Sequence, residues 1–255
     1  LSGLLGSGKA LPVTTLKKVI SKIPESKMPH HKLISTSKEE RLRHTRGQSL
    51  SDWFSMHSGA IDCFTDGVAF PRSNDEVKEL LLFASENNIN VIPYGGGTSV
   101  VGHINPERHS KLNLTISMAN MTRLLDLDPI SLLAKFQPGA NGPQIENQLN
   151  EEGFTLGHFP QSWEYSTLGG WIASRSSGQQ SLKYGRIENL FAGGKIITPK
   201  GTLVIPTCPA SSAGPDLRQF ILGSEGRMGI ITEASVRISP LPKSEYFGAV
   251  FFPGW

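Results

Sequence analysis

Cysteine is scarce in this 255-residue chain. Cys63 and Cys208 lie far apart, so they frame no disulfide scaffold and no metal-spaced pair, and a reducing compartment is expected. Long apolar runs are missing as well. The longest, Leu80 to Ala84, falls far short of the ~20 residues that span a bilayer. No long apolar core follows a basic start, so no signal peptide is legible. Aromatic residues are absent before Trp53. That absence bears on charge, because residues 1–46 carry ten Lys/Arg against three Asp/Glu, whereas residues 47–255 carry fifteen against nineteen. A basic arm can bind nucleic acid or anionic lipid, but diffuse charge without interleaved aromatics reads as a solvated leader. Nucleic acid is therefore not an expected partner. Complete nucleotide fingerprints are lacking too. Gly3-Leu4-Leu5-Gly6-Ser7-Gly8-Lys9-Ala10 has P-loop spacing, yet Ala10 stands where Mg²⁺ needs a hydroxyl, and no strand precedes it. G-x-G-x-x-G does not occur, which excludes the Rossmann fingerprint. Leu1 in place of an initiator methionine, and an apolar strand-like run just before Trp255, suggest a piece of a longer protein.

What is present is an ordinary globular composition with length enough for a substantial core, as one large domain or two small ones. Ser73-Asn74-Asp75-Glu76 is a capping-box pattern, and Val77, Leu80, Leu81 and Ala84 then recur at helical spacing. The strand 89–94 follows, so a strand near Ala69, this helix and that strand make a βαβ-sized unit. Lys111 to Met118 alternates, and Leu124–Leu127 and Leu132–Gln137 read as further strands. A helix opens at Asn141-Gly142-Pro143-Gln144, with Ile145 and Leu149 on its buried face. Lys195–Thr198 and Thr202–Ile205 form a hairpin around Pro199-Lys200-Gly201, and an alternating strand runs through 230–238.

Three segments rich in Gly, Ser and Thr punctuate these elements. The first is Pro93-Tyr94-Gly95-Gly96-Gly97-Thr98-Ser99, at the carboxyl end of a strand, where α/β sheets place ligands. Its glycines allow successive N–H groups to converge as a phosphate nest; an ordinary turn is the alternative. The second covers 161–178, where Trp163, Tyr165, Leu168 and Trp171 argue against a solvated linker. The third is Gly223-Ser224-Glu225-Gly226-Arg227-Met228-Gly229, entering a strand through Ile230 and Ile231. Three such segments suit a large, extended ligand such as a dinucleotide.

In this order the motifs resemble the PCMH-type FAD-binding domain of the vanillyl-alcohol-oxidase superfamily. Within it, Gly157-His158 and Tyr165-Ser166-Thr167-Leu168-Gly169-Gly170-Trp171 resemble the alkyl-dihydroxyacetone-phosphate synthase branch and its bacterial relatives. The likeness runs from about His44 onward. It implies an α+β fold with a small parallel βαβ subdomain and a larger, mainly antiparallel sheet flanked by helices. The expected limits are a basic leader over 1–46, subdomains over 47–110 and 111–245, and the start of a cap domain over 246–255. Residues 93–99 would then hold the FAD pyrophosphate. Gln161, Ser162, Tyr165, Ser166 and Thr167 would lie on the phosphate and flavin side, although Gln161 stands where the synthases commonly carry an acid. Ser174, Arg175, Ser176 and Ser177 would contact the flavin, and Glu225, Gly226, Gly229, Ile230 and Ile231 the adenosine or ring edge. Thr98 stands in the loop that carries the linking histidine of covalent flavoproteins, and His103 reads as a loop residue, so FAD should be non-covalent. His158 is the acid/base candidate near the flavin, with a loop hydrogen bond as its alternative role. The reaction implied is exchange of an acyl for an alkyl chain in ether-lipid synthesis, without net redox, on a small-molecule or lipid substrate. An FAD-linked oxidase or dehydrogenase of a 2-hydroxy acid or alcohol, and an FAD-binding fragment without turnover, are the competing readings. A cytoplasmic location is expected, or a peroxisomal one in a eukaryote; peripheral membrane contact and a homodimer stay open.

Overall fold

The computed structural model describes residues 12–107, 111–209 and 211–254. The P-loop-like stretch at 3–10 lies outside them. Two principal sheets carry the fold. The first has the order β1-β2-β4-β3, from β1 (Ile34–Ser35), β2 (Gly67–Ala69), β3 (Asn90–Tyr94) and β4 (Asn113–Ser117). β2 and β3 both run parallel to β4, and β1 closes the edge antiparallel to β2. The second is antiparallel throughout, in the order β5-β6-β10-β8-β9, from β5 (Leu124–Asp128), β6 (Leu133–Phe136), β8 (Phe191–Thr198), β9 (Gly201–Ile205) and β10 (Ile230–Arg237). A small pair joins β7 (Phe154–Thr155) to β11 (Ser239–Pro240). The α+β architecture read from the motifs is the one observed.

Between β2 and β3 runs the longest described helix, which with its neighbours is numbered in chain order: α1 (Leu16–Ile20), α2 (Lys38–Arg43), α3 (Leu50–Ser58) and α4 (Asn74–Glu86). Ser73 accepts the Glu76 N–H at 3.2 Å, while the Glu76 carboxylate reaches back to the Arg72 N–H at 2.6 Å, one residue earlier than a capping box. Val77, Leu80, Leu81 and Ala84 are fully buried and share a core with Leu114 and Ile116 of β4 and with Ile197 and Ile230 of the second sheet. Burying such side chains is worth about 1.5–3 kcal/mol each for the larger ones, so packing rather than propensity fixes α4.

β4 departs from its alternating pattern, because Asn113, Thr115 and Ser117 are as buried as Leu114 and Ile116. It is flanked by β2 and β3, and its polar side faces Thr65, whose hydroxyl accepts from Thr115 at 3.0 Å and donates to the Asn113 carbonyl at 2.9 Å. The first sheet therefore reaches beyond the limits expected at 47 and 110: β4 follows 110, and β1 precedes 47. Residues before 47 also bury Val19, Ile23, Met28 and Arg41. The Arg41 guanidinium donates to the carbonyls of Thr65 at 2.8 Å and Pro24 at 2.9 Å. Burial holds its pKa below the usual arginine value, against the pull of Asp66.

The second core gathers Phe136, Phe191, Ile196, Ala234 and Val236 from the antiparallel sheet with side chains of several helices, among them Ile187, Leu190 and Ile221 from short ones. α5 (Gly142–Asn150) supplies Ile145 and Leu149, and α6 (Leu168–Ser174) supplies Leu168, Trp171 and Ile172. α5 opens as expected, with a capping box between Asn141 and Gln144 and proline in its first turn. The remaining helices are short: α7 (Ser181–Tyr184), α8 (Ile187–Leu190) and α9 (Arg218–Ile221).

Candidate functional site

β3 delivers the chain to Gly95-Gly96-Gly97, and the space around each glycine explains its identity. A Cβ on Gly95 would collide with the Thr167 hydroxyl, and one on Gly96 with the Tyr165 carbonyl. Gly97 has φ +70°, a left-handed conformation that L side chains rarely adopt, and lies under the Tyr94 phenol. The glycine loop is thus pressed onto segment 165–167, some seventy residues away in sequence.

The third segment closes on the same place. Gly226, at φ +83°, leaves a built Cβ only 2.9 Å from Pro93. The Gly223 and Glu225 N–H groups donate to the carbonyls of Ile172 and Ala173 at 3.1 and 2.9 Å, tying this turn to α6. Together the three segments line one cavity of about 340 Å³. Pro93 to Ser99, Ser162, Ser166, Thr167, Ser174, Ser176, Glu225, Gly226, Gly229, Ile230 and Ile231 all stand on its wall. Among the described residues, no Lys or Arg does.

Four of the anticipated cofactor residues do not line it. Gln161 and Ser177 are exposed, and Tyr165 contributes its backbone to the glycine loop while its ring faces solvent. Arg175 turns away: its Nε donates to the Leu222 carbonyl at 3.2 Å, and a terminal nitrogen to Gln219 Oε1 at 2.5 Å. It braces the turn leading to Gly223 instead of facing the cavity.

His158 is also off the wall. It is 1% exposed, packs edge-on against Trp171 at 5.0 Å, and places Nε2 2.7 Å from Ser176 Oγ. Burial depresses its pKa to about 4, so the ring is neutral at pH 7. Nδ1 is buried with no partner. A bare acceptor is tolerated better than a bare N–H, so this arrangement favours hydrogen on Nε2, donated to Ser176. The Ser176 hydroxyl hydrogen is then free for the cavity it lines. Trp171 Nε1 donates to Ser166 Oγ at 2.7 Å, but the Ser166 hydroxyl hydrogen goes on to the Ser162 carbonyl at 2.8 Å, so this chain holds the wall in place and leaves no free donor.

Sequence reasoning missed other parts of the wall: Val100, Val101, His103, Ile104, Met118, Pro138, Pro160 and Ser224. Pro138-Gly139 carried a usable signal, being a turn just ahead of a capped helix. The positions of Met118 and Pro160 arise from tertiary contacts that no local pattern announces.

The cavity meets the demands of a flavin dinucleotide. Glycine N–H groups and Ser and Thr hydroxyls, Thr167 and Ser176 among them, can solvate a diphosphate, and Val100, Val101, Ile104, Met118, Trp171 and Ile230 offer an apolar face for a ring system. Most tellingly, Thr167 Oγ1 lines the cavity buried and without a hydrogen-bond partner. Such a group is expected to bind a ligand or water. The donor set suits FAD, and among the described residues no cluster of His, Cys, Asp or Glu could hold a metal ion.

This is the site of a flavin-binding protein. A model of the FAD binding domain family matches residues 65–205, more than half of the chain, and the chain belongs to that family with FAD as its cofactor. It is similar to the alkyldihydroxyacetonephosphate synthases of Dictyostelium discoideum and Caenorhabditis elegans, at 40% and 39% identity over 86% and 87% of the chain. Those matches cover 36% and 38% of the relatives, so the chain spans little more than a third of their length. A mitochondrial D-lactate dehydrogenase (cytochrome) of Arabidopsis thaliana is 32% identical over 86% of the chain. A solved structure of alkyldihydroxyacetonephosphate synthase superposes with a TM-score of 0.80 at 36% identity, over 92% of this chain and 42% of that one. The third segment, at 223–231, lies beyond the family match, and its packing against Pro93 and α6 joins it to the same site.

Proposed function

We propose that the chain is the cofactor-holding part of an FAD enzyme of the alkyldihydroxyacetonephosphate synthase type, which exchanges the acyl chain of a dihydroxyacetone-phosphate ester for an alkyl chain. Identity near 40% to named synthases supports the reaction class. The unpartnered Thr167 hydroxyl beneath the glycine loop carries the cofactor placement. Residues 95–99 present N–H groups to the diphosphate, Thr167 donates its hydroxyl beside them, and the apolar wall excludes water from the ring system. Bound FAD supplies the electron-accepting ring at which the chemistry occurs. His158 acts as a positioning residue: it stays neutral and holds Ser176 with its hydroxyl hydrogen toward the cavity. The flavin is held non-covalently, consistent with Thr98 in the glycine loop and with His103 Nδ1 engaged by Ser99 Oγ at 3.1 Å.

The D-lactate dehydrogenase relative favours one second reading, a flavin dehydrogenase of a 2-hydroxy acid. One assay separates the two. The protein, in the longest form that can be expressed, is given acyl-dihydroxyacetone phosphate with a fatty alcohol, and separately D-lactate with a dye acceptor. Alkyl ether product without dye reduction is expected. Dye reduction by D-lactate without ether formation would assign the dehydrogenase reading instead.

A further inference from the structure

Apart from the Tyr94 phenol, which burial keeps protonated, the ionisable groups on the cavity wall sit at one spot. His103 is the base and Glu225 the acid. His103 Nδ1 lies 3.1 Å from Ser99 Oγ, at the end of the glycine loop, and 3.9 Å from Glu225 Oε2, on the turn opposite. The backbone carrying His103 is fixed from behind. The Ser99 carbonyl accepts the Gln48 N–H at 2.6 Å, and Asn105 bridges Asp52 Oδ1 at 2.6 Å and the Gly47 N–H at 3.0 Å.

The diphosphate of FAD is a dianion throughout the neutral pH range. A cradle of neutral N–H and O–H donors can solvate that charge but cannot neutralise it. In a partly desolvated cleft, the dianion therefore favours the charged form of any base within reach. His103, one side chain removed from the glycine loop, is the group able to respond.

We propose that His103 is the proton-linked partner of the cofactor diphosphate, neutral in the flavin-free protein and protonated when FAD enters the glycine loop. The proposal rests on the assignment of residues 95–99 to the diphosphate. The surrounding charges are consistent with it. Burial holds the free imidazole below the ordinary histidine pKa, with Glu225 pulling upward and Arg227, on the same turn, pushing down. Behind the loop, Arg46 and Asp52 stand 4.0 Å apart and offset each other. His103 thus begins unprotonated at neutral pH, and the incoming dianion decides its state.

The test is calorimetric titration of FAD into the flavin-stripped full chain, in two buffers of different ionisation heat, at about pH 6 and about pH 8. Net proton uptake is expected, with Kd weakening about three- to tenfold from the lower to the higher pH, the range a one-unit pKa rise produces. His103→Gln, which keeps a side-chain amide facing Ser99, should bind FAD with no uptake and a flat profile. Glu225→Gln should keep the uptake, because the dianion drives it. Wild-type binding without uptake, or a pH slope unchanged in His103→Gln, overturns the proposal. Uptake lost in Glu225→Gln reassigns the proton to the His103–Glu225 pair and overturns it as well. Absence of FAD binding by the wild type at both pH values would instead remove the diphosphate assignment itself.

Discussion

His158 shows how a single buried base supports a site without standing in it. Its ring is enclosed by Trp171 and Ser176, and burial holds its pKa near 4, below the ~6.5 of an unfolded histidine. Between those values the unfolded chain binds the proton and the native chain refuses it. The stabilisation is therefore complete above about pH 6.5, is lost as pH falls through the window to about 4, and amounts to about 3 kcal/mol at full extent. Urea unfolding from pH 7 down to pH 4 should show this slope in the wild type, and His158→Gln should make it shallower, the remainder coming from His44 and His103, whose pKa values burial also lowers. Glu146 works in the opposite sense. Burial raises its pKa against the hydrogen bonds of Thr155, Gly157 and Leu156, so its contribution weakens as pH rises and cannot mimic the His158 slope. A variant with an unchanged slope would mean that the ring is not buried neutral.

At the scale of elements, what was legible was local. The caps at Ser73 and Asn141, the 3.6-residue spacing of α4 and the strand running into Gly95 each depend on neighbours within a few residues, and each is observed. Hidden features depend on distant partners. Arg41 reads as one more leader charge until Thr65 and Pro24 carbonyls surround it. Thr115 reads as the exposed side of an alternating strand until Thr65 covers it. Among site residues, the glycines announced themselves, whereas the inward turn of His103 and the outward turn of Arg175 depend on Glu225 and Gln219, more than forty residues away in each case. α5 allows a direct check of the local logic. Asn141 Oδ1 accepts the Gln144 N–H at 3.0 Å and its amide donates to the Glu164 carbonyl at 3.2 Å. Asn141→Ala should therefore lower stability by about 1 kcal/mol in denaturant melts, as loss of an N-cap does.

At the scale of the molecule, the two sheets meet where the cavity lies. α4 shares one core with β4 of the first sheet and with Ile197 and Ile230 of the second. Glu233 of the second sheet joins the layers in polar fashion, accepting from Asn74 at the start of α4 and from Lys195, both at 2.6 Å. The glycine loop leaves the first sheet and the 223–231 turn enters the second, so folding of both layers assembles one binding surface. Among the described residues no helix is long and apolar enough to cross a membrane. The central claim is that this joint surface binds FAD, and the most direct measurement is the visible spectrum and flavin content of the purified chain. The account predicts a yellow protein with flavin absorption bands, close to one FAD per chain, and full release of that FAD into the supernatant on acid precipitation. A colourless protein that takes up no added FAD would contradict it.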